Sequence, residues 1–474
     1  MYSDTQNFTK PLIFFTVLYL FLPNTLFFYY WFRNPYSFLL VLTLIVALVI
    51  YVRKYISSGL KTDINISKRE LLVFAIIASV WVIISGVGNY VPQYSDFQGH
   101  NAKLYDLVHS EWPLIYDYNN DEVIYYFSYY LVPAFVMKLA DKNSLIPFVV
   151  WTGMGFYLML IWAYFLLNKN IYKLILFFTL GTSTIIFNQV FGLERNIWPV
   201  NFGSIFEQSL WVPNQIPPTF LVMVLFAYFM KNNGDLKAIV FPLVLTLTWC
   251  VFPMIIIVLI FGVSILIYRN YEELTGLIKH GLIYLVLVIP LFIFYLSSNG
   301  DNFFEFLPLT TNRTAKVPIW VTQLLPQLIL LLIYLKVFIK DPKDKKMALF
   351  ILVLMFIISV FRVGVFNDLA ARGFMVIYIA FFYLFLKNID FGKPNMRVWL
   401  IIFLFDSFVS LKVIYSRLTT NVFVSKDKEM VIYAYDRSKS IYEMFVDYGN
   451  SDELLQYSSK KDSFYQKYLS REEK

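Results

Sequence analysis

Glu122–Ala140, EVIYYFSYYLVPAFVMKLA, is apolar and long enough to cross a bilayer, and the topology of the chain turns on whether it does. Other apolar runs lie near 11–32, 36–52, 70–88, 144–167, 173–188, 216–230, 238–250, 252–268, 281–297, 318–338, 347–364, 373–387 and 398–416. That pattern predicts an all-α membrane protein with about 13 transmembrane helices. If 122–140 also crosses, the basic connections after it fall on alternating sides. If it lies along the interface, RKYISSGLKTDINISKR (53–69), NKNIYK (168–173), KNNGDLK (231–237), RNYEELTGLIKH (269–280), KDPKDKK (340–346) and KNIDFGKPNMR (387–397) share one side. The positive-inside rule makes that side the cytoplasm. Tyr-rich composition and Pro133 suit an interfacial helix, at the cost of leaving Lys138 and Lys142 outside. The interfacial placement is therefore the expected one.

Composition supports the membrane reading. The 474 residues are 58% hydrophobic and 20% aromatic, and only 15% are charged; a soluble protein carries about 25%. Mean hydropathy is +0.61. The net charge of +8 resides in short basic connections, which excludes a nucleic-acid-binding surface as its explanation. The single cysteine, Cys250, lies in an apolar run and permits no intrachain disulfide. The apolar stretch from Pro11 is too long for a signal-peptide core and reads as a retained first helix.

The interfacial placement divides the chain into a membrane domain, 1–416, and a polar tail, 417–474. Segments 89–143, 189–215, 298–317 and 362–372 become extracytoplasmic, with interfacial helices in the first, and the tail joins them as a small helical cap.

The first outer segment holds SDFQGHNAKLYDLVHSEWP (95–113). SDFQ has the form of a capping box, so a helix is predicted to start near Ser95, with Asp96 and His100 on one face. A carboxylate there can take a proton from an acceptor hydroxyl, help hold a divalent cation, or simply complement the helix dipole. His109 and Glu111 read as interfacial polar residues and Trp112–Pro113 as a helix stop. The second segment sets Glu194 and Arg195 side by side and brackets Trp211 with Gln208, Asn214 and Gln215. Amides beside an aromatic face suit a sugar groove, and they also suit an ordinary interfacial loop. In FRVGVFNDLAARGF (361–374), Arg362, Asn367, Asp368 and Arg372 interrupt two apolar runs. Arginines at a membrane rim cradle phosphate; the plainer alternative is an Asp368–Arg372 pair at i,i+4.

At these residues the chain resembles the GT-C superfamily of polytopic membrane glycosyltransferases, and within it an uncharacterised bacterial branch. The likeness is carried by SDFQGHNAKLYDLVHSEWPLIY, YYFSYYLVPAFVMKL, WVPNQIPP and FNDLAAR. It covers the membrane region to about residue 416 and is one of overall plan. The resemblance implies Asp96 as catalytic acid/base or metal-proximal carboxylate, and Arg372, with Arg362 second, as phosphate ligands; His100, on the face of Asp96, is the further catalytic candidate of the residues themselves. From the residues themselves, Asp368 and Asn367 join those arginines as donor-site candidates, and Glu194, Arg195, Trp211, Asn214 and Gln215 are the candidates for an acceptor groove. Many GT-C enzymes carry two adjacent acids in the first loop, whereas Phe97 follows Asp96 here. A divalent cation (Mg or Mn) is thus left open as a cofactor, and the base role is the better supported. The implied partners are a polyprenyl-phosphate sugar donor, a cell-envelope glycan or lipid acceptor and membrane lipids, with no nucleic acid. The implied location is multi-pass in a bacterial inner membrane. The rivals are a lipid-linked oligosaccharide polymerase or ligase, and a transporter or flippase for which Asp406, in IIFLFDSFVS, would matter.

Overall fold

The computed structural model describes residues 5–56, 64–94, 96–116, 121–183, 186, 203–300, 304–306, 319–363, 367–393, 396–419, 440–447 and 457–471. Of the described residues 76% are helical, with little sheet. After β1 (Thr5–Asn7) come α1 (Thr9–Trp31) and α2 (Tyr36–Tyr51); β2 (Asn65–Ser67) pairs antiparallel with β1 and leads into α3 (Lys68–Ser85). The first large connection holds α4 (Phe97–His109), a small hairpin of β3 (Ile115–Tyr116) and β4 (Asp121–Glu122), and α5 (Ser128–Leu139). Next are α6 (Ile146–Leu166), α7 (Ile171–Thr179), α8 (Ile205–Ser209), α9 (Ile216–Lys231), α10 (Val240–Leu245), α11 (Phe252–Tyr268), α12 (Tyr271–Gly281) and α13 (Leu285–Leu296). β5 (Phe304–Phe306) precedes α14 (Ile319–Phe338) and α15 (Pro342–Val360), and pairs with β6 (Phe361–Val363). The described chain ends with α16 (Asp368–Lys387), α17 (Met396–Thr419), α18 (Ile441–Asp447) and the docked segment 457–471.

Among the described residues six stretches are long and apolar enough to cross a membrane: Thr9–Trp31, Tyr36–Ile56, Ile146–Leu166, Tyr271–Leu296, Asp368–Lys387 and Met396–Thr419. In Thr9–Trp31 and Ile146–Leu166, 61% of the apolar window is buried, and in Asp368–Lys387 78%; in the other three only 22% is. The first group therefore forms the core, and the second presents Phe38, Leu39, Ile289 and Ile401 outward, as a lipid-facing helix does.

Two contacts fix how the first connection runs. At one end, Tyr164 near the close of α6 donates to Glu70 Oε1 at the start of α3, at 2.9 Å. At the other, Gly88 just beyond α3 lies against α6, where an added Cβ would come within 2.6 Å of Val149 Cγ2. α3 and α6 are thus antiparallel neighbours, and the connection between them leaves and returns at one end of the bundle. α5 spans 12 residues, about 18 Å of helix, well short of a hydrocarbon core.

The basic connections gather at the opposite end. There Lys231 donates to Asn168 Oδ1 at 3.0 Å, Lys387 pairs with Asp344 at 2.8 Å, and Lys54 and Lys237 lie within electrostatic reach of His280.

Several elements differ from the sequence expectation. The run 173–188 ends its helix at Thr179, because the chain turns out through Leu180 and a left-handed Gly181 and Thr182 bonds the carbonyl of Asp406. The run 238–250 is a chain of short turns with Pro242 in α10 and Pro253 opening α11; each proline removes an amide donor. RNYEELTGLIKH, expected as a loop, forms α12: Asn270 caps it, Glu272 and Glu273 occupy its first turn, and Lys279 and His280 its last. Residues 368–372, expected in a loop, are the opening turns of α16.

Candidate active site

α4 lies across the end of the bundle away from the basic connections. Its start differs from the expected capping box: Asp96 holds the N-cap position without a side-chain cap bond, and Ser95 lies outside the described residues. Asp96 is therefore not committed to the cap and remains partly exposed. His100 and Lys103 follow at i+4 and i+7, which puts all three on one face.

His100 is buried with both ring nitrogens engaged. Nε2 lies 2.9 Å from the carbonyl oxygen of Trp211, which can only accept, so Nε2 carries the proton. Nδ1 then accepts from the Tyr130 hydroxyl. Burial first, and the nearby Lys103 second, push the imidazole down to about 3, so the ring is neutral. It joins α4 to α5 and to the 203–215 segment, and no lone pair remains for a substrate proton.

Lys103 was not anticipated from the sequence. Its ammonium sits 4.4 Å above the Tyr125 ring and 5.8 Å from the Tyr457 ring. Burial pushes it down to about 8, with Asp96 the largest opposing influence; Arg372, Asp368 and Asp106 are also within reach. Gly99 makes room for it, since a Cβ there would stand 3.2 Å from Nζ.

Arg372 arrives from α16. The turn before that helix is made by Asn367, whose left-handed backbone (φ 52°) and Oδ1, accepting from the Val363 amide at 3.2 Å, join β6 to α16. Asn367 thus serves the turn. Asp368 enters the first helical turn, and its Oδ1 stands 3.5 Å from Arg372 Nε. Nε itself is buried without a hydrogen-bond partner among the described residues. Tyr126, Asp96 and Tyr125 complete the electrostatic surroundings of the guanidinium. Asp96, Lys103, Asp368 and Arg372 are therefore brought together from two distant segments. Arg362 lies in β6 opposite Glu305.

The 203–215 segment forms a wall. A capping box between Ser204 and Glu207 starts α8. Gln215 Nε2 donates to the Tyr126 hydroxyl at 3.0 Å, linking this wall to the Arg372 surroundings. Tyr94 stacks on Trp211 at 4.3 Å, and the Arg417 guanidinium lies 4.9 Å from the Tyr94 ring. Asn214 is 1% exposed, yet neither of its amide heteroatoms has a partner among the described residues. A buried amide without partners is an open recognition group. Glu194 and Arg195 lie outside the described residues.

The tail covers this end. The Ile441 amide donates to Asp106 Oδ2 at 2.8 Å, and the Ile124 amide donates to the Tyr457 carbonyl at 2.8 Å. Among the described residues no group of three or more His, Cys, Asp or Glu forms a metal-ligand set. Asp96 instead has two cations as neighbours, which would repel a divalent ion. The residues present do not fit one.

The arrangement is a half-open carboxylate beside two cations, rimmed by phenols, with the Gln215 amide reaching one of them. Such a set binds an anion beside a proton acceptor. No family model, curated protein or solved structure matches this chain.

Proposed function

We propose that the chain is a membrane glycosyltransferase that moves a sugar from a polyprenyl-phosphate donor to a cell-envelope glycan or lipid acceptor. On this reading the membrane is crossed about 13 times, the basic connections face the cytoplasm, and the site opens extracytoplasmically in a bacterial inner membrane. The GT-C-like plan of the chain supports the assignment.

The observation that carries it is the meeting of Asp96 with Lys103 and Arg372. Three carboxylates (Asp96, Asp106, Asp368) attend two cations, and Asp106 is engaged by the Ile441 amide. That balance suits a singly charged phosphodiester better than a nucleotide diphosphate or a pyrophosphate. A polyprenyl-phosphate sugar is such a phosphodiester.

Arg372 and Lys103 hold the phosphate. Asp96 accepts the proton of the acceptor hydroxyl as its oxygen bonds the anomeric carbon, and the bond from that carbon to the phosphate oxygen breaks. The electron pair leaves with the phosphate, and its new charge falls on the two cations. Attack from the face opposite the phosphate inverts the anomeric centre. His100 positions α4, while Trp211, Asn214 and Gln215 face the acceptor.

A transporter would use a free ionisable group at mid-depth. Asp406 is buried there, but its Oδ1 accepts from the Ser183 amide at 3.0 Å and its Oδ2 from the Tyr334 hydroxyl at 3.4 Å. It satisfies the backbone where α7 breaks, a structural need.

The test is mass spectrometry of envelope glycans from a deletion strain complemented with wild type or Asp96→Asn at matched membrane levels. Loss of one sugar substituent that only wild type restores supports the transferase. Shortened chains with every substituent intact would replace it with the polymerase.

A further inference from the structure

At the basic end, away from the site just described, α6, α7, α9, α11, α15 and α16 part around a cavity of about 470 Å³. Small-ligand pockets run from about 300 to 1,000 Å³. Phe177, Met223, Phe226, Ile260, Met347 and Leu384 supply an apolar wall. A space lined this way does not hold water well.

The mouth is polar and unevenly charged. Lys387 is answered by Asp344 at 2.8 Å, and the same carboxylate accepts from the Tyr268 hydroxyl at 2.6 Å and from Asn388 Nδ2 at 3.1 Å. Asp344 is thereby saturated. Lys231 donates instead to the neutral Asn168 Oδ1 at 3.0 Å, and the left-handed backbone of Asn168 (φ 58°) forms the turn that carries it. Of the two ammonium groups at the entrance, Lys387 thus has a carboxylate partner and Lys231 has none among the described residues.

An apolar chamber entered past one unanswered cation, at the basic end of a membrane bundle, matches one ligand chemistry. We propose that it takes an acyl chain of an anionic membrane phospholipid, with the phosphate against Lys231. A zwitterionic lipid would bring its own ammonium to the same rim and gain less. The proposal requires only that the chain lies in a membrane, and it stands whether or not the chain transfers sugars.

The experiment is native mass spectrometry of the full chain, titrated with phosphatidylglycerol and with phosphatidylcholine of the same acyl chains. Wild type is expected to favour phosphatidylglycerol by about fivefold, the contribution of one lysine near an anionic head. Lys231→Gln should abolish that preference while keeping chain uptake. Ala227→Trp, which fills the cavity, should lower retention of both lipids. Lys279→Gln, on the exposed helix α12 at the same end, should change neither. Lys231→Gln removes only a rim contact and keeps the test sound even where the bulky substitution impairs folding. Equal binding of the two lipids by wild type overturns the proposal. Preferential uptake of a polyprenyl phosphate over phosphatidylglycerol also overturns it, and would make the cavity an isoprenoid site.

Discussion

Lys103 on α4 and Arg372 on α16 are like charges held within electrostatic reach of one another. Burying two cations side by side is unfavourable unless anions surround them, and Asp96, Asp106 and Asp368 do so. Yet Arg372 Nε has no hydrogen-bond partner among the described residues, and the Lys103 ammonium rests on tyrosine rings. The donors are held in place without being consumed, which suits a transient anionic guest.

Arg372→Gln should therefore lower kcat/KM for the polyprenyl-phosphate donor by about 10²–10³-fold, the loss typical of one donor to developing charge. Arg372→Lys keeps the charge without the fork and should recover only part of it. Steady-state kinetics with a synthetic donor decide this. Undiminished transfer by Arg372→Gln would remove the phosphate role.

On the proposed transfer reaction, Lys103 should impose a basic limb. Its ammonium is pushed down to about 8, so it is charged below that pH and neutral above it. Donor binding should weaken as pH rises through about 8, appearing first in KM. Lys103→Arg, which stays charged, should move the limb upward. A wild-type profile flat across that interval contradicts the assignment.

Asp96→Asn keeps the shape and removes the base. Transfer should fall by about 10²–10⁴-fold while the donor still binds. Equilibrium binding of a non-transferable donor analogue separates the two effects. Loss of donor binding with no effect on the chemical step would make Asp96 a partner of Arg372 and nothing more.

Much of this arrangement was legible in the chain. Hydropathy and the distribution of Lys and Arg gave the helical membrane class and the shared end of the basic connections. Asp96, Asp368 and Arg372 announced themselves as charges at the ends of apolar runs. The rest depended on three-dimensional packing. Lys103 looked like an ordinary surface lysine in NAKLYDL until Gly99, Tyr125 and Tyr457 enclosed it. His100 looked like a catalytic partner of Asp96 because its spacing from Asp96 is helical, but spacing cannot show that Trp211 and Tyr130 occupy both nitrogens. The early end of α7 was hidden because the groups satisfying its broken backbone come from Asp406, far along the sequence.

Asn214 and His100 should respond in opposite ways. Asn214→Leu removes a buried amide that bonds nothing among the described residues and should leave stability unchanged or raise it by about 1 kcal/mol, while raising KM for the acceptor. His100→Phe strands the Tyr130 hydroxyl and the Trp211 carbonyl and should cost about 1–3 kcal/mol, with the pH profile of the surviving enzyme unchanged. Thermal unfolding in detergent, read beside kinetics, tests both. An altered pH profile in His100→Phe would return the imidazole to the chemistry.

The tail supplies a last, independent test through Glu122. Its carboxylate is buried among donors from 457–471: Tyr465 at 2.6 Å, Gln466 at 2.9 Å and Ser470. No cation partners it among the described residues, and burial pushes the acid up to about 7 despite those bonds. With the tail released, Glu122 would return toward its ordinary value of 4.5. The docked form then binds the proton more tightly than the released form. Docking is accordingly strongest below the ordinary value and weakens as pH rises through about 7, by up to about 3 kcal/mol. Hydrogen exchange of 457–471 should quicken across that interval in wild type and stay level in Glu122→Gln, which carries no titrating proton. Because the tail also supplies Tyr457 beside Lys103, its release should lower transfer over the same interval. Exchange that is equally slow on both sides of pH 7 in wild type would show that the buried acid does not govern the tail.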